Sequence, residues 1–192
     1  KTQQMILARG GYIVQVARLM PIKHQDTLVR ALEQLDDVRV VFVGGTPDGV
    51  DGQYEHKLRG LAHGLDLGGR VAFVGSQPVD HVREHYRKAI VAVNLSPPGL
   101  FDKAALESMA MGLPTIVSSH AFDPLLGQYQ PYLYLDTPEN VDGLVERLRT
   151  LLTMSAAERT VMGVVLRERV VAEHSLDGLM TRLVNVLHTG EL

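Results

Sequence analysis

Apolar and polar positions follow two rhythms along this chain. Short unbroken apolar runs, the mark of strands buried on both faces, stand at 12–17 (YIVQVA), 39–43 (RVVFV), 71–74 (VAFV), 90–95, 115–118 and 132–135 (YLYL). Between them apolar residues recur at three- and four-residue spacing, which predicts helices over 27–35, 53–63 and 80–88. A further helix should start near Asp102 as N-cap, bury Leu106, Met109, Ala110 and Leu113, and stop at Gly112 and Pro114. Three helices close the chain: one with Val141, Leu144, Val145, Leu148 and Leu152 on its apolar side, one opened by Ser155 and Glu158 at capping-box spacing, and one from Ser175 with Leu176, Leu179, Met180, Leu183 and Leu187. Strands alternating with helices predict an α/β fold: a doubly wound parallel sheet of about six strands with helices on both faces. The whole chain, 1–192, reads as one domain, with the sheet core over 11–137 and the C-terminal helices over 138–192.

That topology says where to look for chemistry. In the strand order 3-2-1-4-5-6 the first and fourth strands are neighbours, and ligands bind outside their carboxyl ends. After the first strand come Arg18 and Lys23; after the fourth comes the turn Ser96, Pro97, Pro98, Gly99 and the predicted helix start. The free N–H groups and positive dipole end of such a helix suit an anion. Arg binds phosphate through two parallel bonds and Lys adds a point charge, so the pair favours a diphosphate; the alternative is two solvated loop cations. Glu107 lies one turn inside the helix. It is placed either to accept two hydroxyl protons of a ribose or simply to face solvent.

Composition narrows the field. The 192 residues have a net charge of -3, which disfavours nucleic acid as a partner. There is no Cys, hence no thiolate metal site and no cysteine nucleophile. No apolar run reaches membrane-spanning length. The first residues, KTQQMILARG, lack an initiator Met, so a longer parent chain is expected. No glycine-rich dinucleotide fingerprint follows the first strand and no Walker lysine loop occurs. His81-Val82-Arg83-Glu84-His85 matches a zinc-peptidase pattern, but no third ligand is near in sequence, and the helix side reads as solvated. No metal and no cofactor are expected.

The residues at the switch point carry a resemblance. VARLMPIKHQDTLVRAL, VRVVFVGG, RVAFVGSQP and IVAVNLSPPGLFDKAALESMAMGLPTIVSS occur in that order. They resemble the C-terminal, donor-nucleotide-binding domain of GT-B-fold retaining glycosyltransferases of family 4, or group 1, which includes glycogen and sucrose synthases and bacterial mannosyl- and glucosyltransferases. The resemblance covers roughly 12 to 118. It implies one Rossmann-like half of a GT-B fold, binding a nucleoside diphosphate sugar for transfer to an acceptor sugar, lipid-linked glycan or other hydroxyl compound. It also implies an N-terminal acceptor domain absent from this chain, and a cytoplasmic location, peripheral to a membrane through that domain.

Carried over by position, Arg18 and Lys23 match the catalytic cations on the diphosphate. Glu107 matches the ribose-binding second Glu of the E-x7-E motif. Phe101, Asp102, Lys103 and Ala104 match the turn and helix start whose backbone N–H groups meet phosphate. Gly45, Gly75 and Ser76 match loops that wall the base and phosphate. Three residues depart from the pattern: Gly99 stands where the first, sugar-contacting Glu belongs, Asp102 replaces a Gly, and His24 stands where Gly is common. The departures keep two other readings open, a non-catalytic nucleotide-sugar-binding or scaffolding module and a GT-B-like nucleotide-sugar epimerase.

Overall fold

The computed structural model describes residues 11–49 and 51–189, so the KTQQMILARG stretch lies outside the described residues. Five strands, β1 (Tyr12–Val16), β2 (Val40–Val43), β3 (Val71–Phe73), β4 (Ala89–Asn94) and β5 (Thr115–Val117), form one parallel sheet in the order β3-β2-β1-β4-β5. β1 is central: Ile13 is in register with Val40 on one side and Val91 on the other. The first and fourth strands are therefore neighbours, as the doubly wound order requires. The main helices are α1 (Gln25–Ala31), α2 (Gln53–Gly64), α3 (Val79–Lys88), α4 (Lys103–Ala110), α5 (Val141–Thr153), α6 (Ala156–His174) and α7 (Leu176–Thr189).

Alternate residues of β1 enter different cores, because successive side chains of a strand point to opposite faces. Ile13 joins Phe42, Val91 and Ile116, under Leu28 of α1, Leu58 of α2 and Leu144 of α5. Tyr12 and Val14 join Val41, Ala92 and Tyr86 of α3. Full burial of a Leu or Ile side chain contributes about 1.5–3 kcal/mol, so these two layers hold the sheet flat against its helices. α6 opens with the expected capping box: Ser155 Oγ accepts from Glu158 N–H and Glu158 Oε2 accepts from Ser155 N–H. α7 leaves Leu176, Leu179, Met180, Leu183 and Leu187 exposed.

The expected sixth strand does not form. Residues 130–133 are instead one turn of helix, Gln130–Leu133, and only Tyr134 runs beside β5, bridging Val117 in parallel. Pro131 sits in the first turn of that helix, where its fixed φ suits a helical start. Leu133 and Leu135 are buried, and Tyr132 is exposed. The apolar run that suggested a strand is thus met by a helical turn followed by one extended residue. The helix expected over 27–35 begins earlier, at Gln25, and ends as a 3-10 turn, Leu32–Gln34.

Candidate functional site

Beyond β1 the chain turns at Arg18 and reaches Lys23 through a 3-10 turn, Pro21–Lys23, with Pro at its start. Two buried glutamines hold this loop from beneath. Gln15 donates from Nε2 to Lys23 O at 2.7 Å, and Gln25 donates from Nε2 to Arg18 O at 2.9 Å; each residue is only 1% exposed. A neutral amide is far less costly to bury than a charge, and here each satisfies a loop carbonyl. His24 follows with φ 48 in the left-handed region, which is the physical reason for a Gly at this position in the resembled family. Its Nε2 lies 3.5 Å from Glu139 Oε1.

The end of β2 supports the same loop. Leu19 N–H donates to Gly45 O at 3.0 Å, and Gly44 N–H donates to Gly75 O at 2.9 Å. Gly44 has φ +137, and a Cβ there would lie 2.0 Å from the backbone oxygen of Ala17, so only glycine fits. A Cβ on Gly45 would stand 2.8 Å from Ser76 Oγ. Gly44 and Gly45 thus let the ends of three strands approach one another, while Gly75 has open space around it and a left-handed φ of +71.

After β4 the chain makes a tight turn: Leu100 N–H donates to Pro97 O at 3.1 Å, with Pro98 and Gly99 between them and Gly99 at φ +81. This is a type II arrangement, in which the third residue needs a positive φ. A Glu at 99 would be strained there, and its Cβ would meet the ring of His120 at 3.5 Å. The turn delivers Asp102, which caps α4 by accepting Ala104 N–H on Oδ1 at 3.0 Å. Asp102 Oδ2 lies 2.5 Å from Lys23 Nζ and accepts from Ser96 Oγ at 2.7 Å, while Lys23 also donates to Ser96 Oγ at 3.1 Å. Burial alone would raise the Asp102 carboxyl pKa; the hydrogen bonds from Lys23, Ser96 and Ala104 outweigh it and hold the group below the ordinary carboxylate value.

Two clefts flank the start of α4. The first, of about 350 Å³, is lined by Arg18, Lys23, Asp102 and Ala104 together with Gly44, Ser76 and Gln77. The second, of about 340 Å³, is lined by Val79, Val82, Arg83, Tyr86 and Glu107, together with Met111 and Arg167. Val16 and Val82 line both. Successive turns of α4 therefore present Ala104 to one cleft and Glu107 to the other. Glu107 Oε1 pairs with Lys103 Nζ at 3.2 Å on the open side of the helix. Tyr86 donates from its hydroxyl to Ala104 O at 3.1 Å; burial, with Glu107 and Asp102 nearby, raises its pKa.

The structure thus gathers Arg18, Lys23, Ser76, Asp102 and Ala104 around one cleft and sets Glu107 on the adjoining one. Gly45, Gly75, Gly99, Phe101 and Lys103 line neither. The Phe101 ring stacks on Phe122 at 4.7 Å and lies 5.0 Å from His174, which ties the turn to α6. Ser96 was read only as part of the turn, and Gln15, Gln25 and Tyr86 were given no role at the site. A glutamine in the middle of YIVQVA was the available signal, since a buried amide must have a partner. The histidines of the zinc-peptidase pattern have different partners: His81 Nδ1 meets Gln77 Oε1 at 3.3 Å, and His85 Nδ1 meets the Tyr12 hydroxyl at 3.1 Å.

A parallel sheet with its first and fourth strands adjacent, and a cleft over their carboxyl ends, defines a Rossmann-like α/β domain. The chain belongs to the glycosyl transferases group 1 family, whose sequence pattern matches residues 4–163. It is 29% identical over 187 residues to the GDP-mannose-dependent alpha-(1-6)-phosphatidylinositol monomannoside mannosyltransferase of Mycobacterium tuberculosis, covering 91% of this chain and 46% of that protein. Among solved structures it resembles the sucrose-phosphate synthase of Thermosynechococcus elongatus, with a TM-score of 0.82, 26% identity, and coverage of 99% of this chain and 49% of the other. It also shares the fold of Anabaena HepE in complex with UDP, with a TM-score of 0.86, 20% identity, and coverage of 97% and 51%. The chain spans about half the length of these proteins. The resemblance to the C-terminal domain of a GT-B glycosyltransferase is borne out, with five strands in place of six.

Proposed function

We propose that this chain is the donor side of a glycosyltransferase, holding a nucleoside diphosphate sugar whose sugar passes to an acceptor hydroxyl. The observation that carries the reading is the first cleft: Arg18 and Lys23, five residues apart after β1, open onto one space with the N-terminus of α4. Departure of a nucleoside diphosphate leaves negative charge that fixed cations and backbone N–H groups can stabilise without a metal. The diphosphate lies in the first cleft. The nucleoside runs over Val16 and Val82 into the second, where Glu107 takes the ribose hydroxyls and the apolar wall takes the base. The relative that uses GDP-mannose and the fold neighbour solved with UDP support this class of ligand.

The acceptor binds a second, N-terminal domain outside this chain, and transfer takes place between the two domains, so this chain alone binds donor without turning over. We place the assembly in the cytoplasm, peripheral to the membrane through that second domain; no helix among the described residues is long and apolar enough to cross one. The test is a thermal-shift screen with uridine, guanosine and adenosine diphosphates and their glucose and mannose esters. Binding to the native state raises the melting temperature. Stabilisation by one base series, lost in Arg18→Ala, supports the reading. No shift with any nucleotide at millimolar concentration overturns it.

A further inference from the structure

Asp102 stands where an incoming phosphate would be expected to bind. Its two carboxylate oxygens already take the Lys23 ammonium, the Ser96 hydroxyl and the Ala104 N–H, and the Lys23 and Asp102 side chains are only 15% and 13% exposed. All four residues of this knot except Ser96 line the first cleft, beside Arg18. One of the two cleft cations and an open N–H of α4 are therefore matched to the chain's own anion. Lys23 keeps one further N–H for a ligand, since an ammonium has three donors. Any phosphate that uses it must approach the Asp102 carboxylate.

Repulsion between like charges grows with the charge of the ligand. A nucleoside diphosphate has a terminal phosphate with a second ionisation near pH ~6, so near neutral pH it carries about one more negative charge than its sugar ester, which has no such proton to lose. Resting on the function proposed above, we propose that Asp102 is a charge discriminator. It weakens the hold on the free nucleoside diphosphate more than the hold on the nucleotide sugar, and so favours release of the leaving group after transfer. A Gly at 102 would leave Lys23 and the helix N-terminus fully open to the product.

The competing account makes Asp102 only a helix cap that also holds Lys23 in place. Asp102→Asn separates the two by outcome. Its Oδ1 keeps the cap on Ala104 N–H, while its Nδ2, a donor, replaces the Oδ2 that held Lys23 and removes the charge. The free diphosphate therefore gains if Asp102 repels it and gains nothing if Asp102 only positions Lys23. Asp102→Ser is a second neutral cap should the Asn variant fold poorly. Calorimetric titration at pH 8 of wild type and both variants would use UDP, UDP-glucose, GDP and GDP-mannose. In the variants the free diphosphate should bind about tenfold tighter, about 1.4 kcal/mol, and the sugar ester only about threefold tighter. Unchanged or weaker binding of the free diphosphate, or equal gains for both ligand types, sinks this inference alone. A wild type and variants that all fail to bind any of the four sink the proposed function with it.

Discussion

Two loops meet over the carboxyl end of the sheet, and they are held by opposite means. The loop after β1 is held by neutral groups: Gln15 and Gln25 bond its carbonyls and leave the Arg18 and Lys23 side chains to the cleft. The turn after β4 is held by charge: Asp102 draws in Lys23 from across the switch point. The first device orders a backbone without touching its charges. The second orders a side chain by neutralising it. A cleft built from both has its shape set beforehand but only part of its positive charge free.

The comparison can be broken most severely at the neutral loop. Gly44→Ala would drive a Cβ to 2.0 Å from Ala17 O, a backbone atom with no rotamer to yield. We expect a loss of about 3 kcal/mol in urea unfolding, the upper end for overpacking. Next in size are the cations. Arg18→Ala should weaken nucleoside diphosphate binding by about 1.5–2 kcal/mol and Lys23→Ala by about 2–3 kcal/mol, by calorimetry. Lys23 costs more because its loss leaves Asp102 unpaired in the cleft, and Lys23→Ala with Asp102→Asn should recover most of that excess. Equal losses for diphosphate and bare nucleoside would refute the phosphate role of both.

Smaller changes sharpen the contrast. Gln25→Leu keeps volume and removes the bond to Arg18 O, so stability should fall by about 1–2 kcal/mol, and diphosphate affinity with it, in parallel melts and titrations. Glu107→Gln belongs to neither loop and should lower binding by about 1 kcal/mol, an effect that vanishes for a 2′,3′-dideoxy nucleotide. The smallest effect is on acid unfolding. The folded pKa of Asp102 is lowered, so its contribution to stability is complete above its unfolded value of about 3.9 and is lost as pH falls through the folded value. Asp102→Asn should flatten the stability curve of wild type below about pH 4.

How much of this was legible in the sequence differs between the two loops. Arg18 and Lys23 were readable because the loop after the first strand of a doubly wound sheet has a known place. Asp102 was readable as a cap because capping is local, spanning two residues. Its pairing with Lys23 was not, because the two are 79 residues apart and only the crossover from β1 to β4 brings them together. The missing Glu at 99 was visible; that the turn there takes a left-handed residue beside His120 was not. The run YLYL misled because an apolar run of four residues fits a buried strand and also a short helical turn that leads into one extended residue.

By itself the sequence determined the five strands of the sheet, most of the helices, the parallel order and the switch point, because buried parallel strands, capping residues and turn residues act over a few positions. It also determined the chemical types of group at the site. Only the tertiary structure decided which of those groups face one another: Gln15 under Lys23, Phe101 on Phe122, Asp102 on Lys23. Such pairings depend on where distant strands end, and hydrogen bonds and ion pairs between them are set by tenths of an ångström that no local spacing contains.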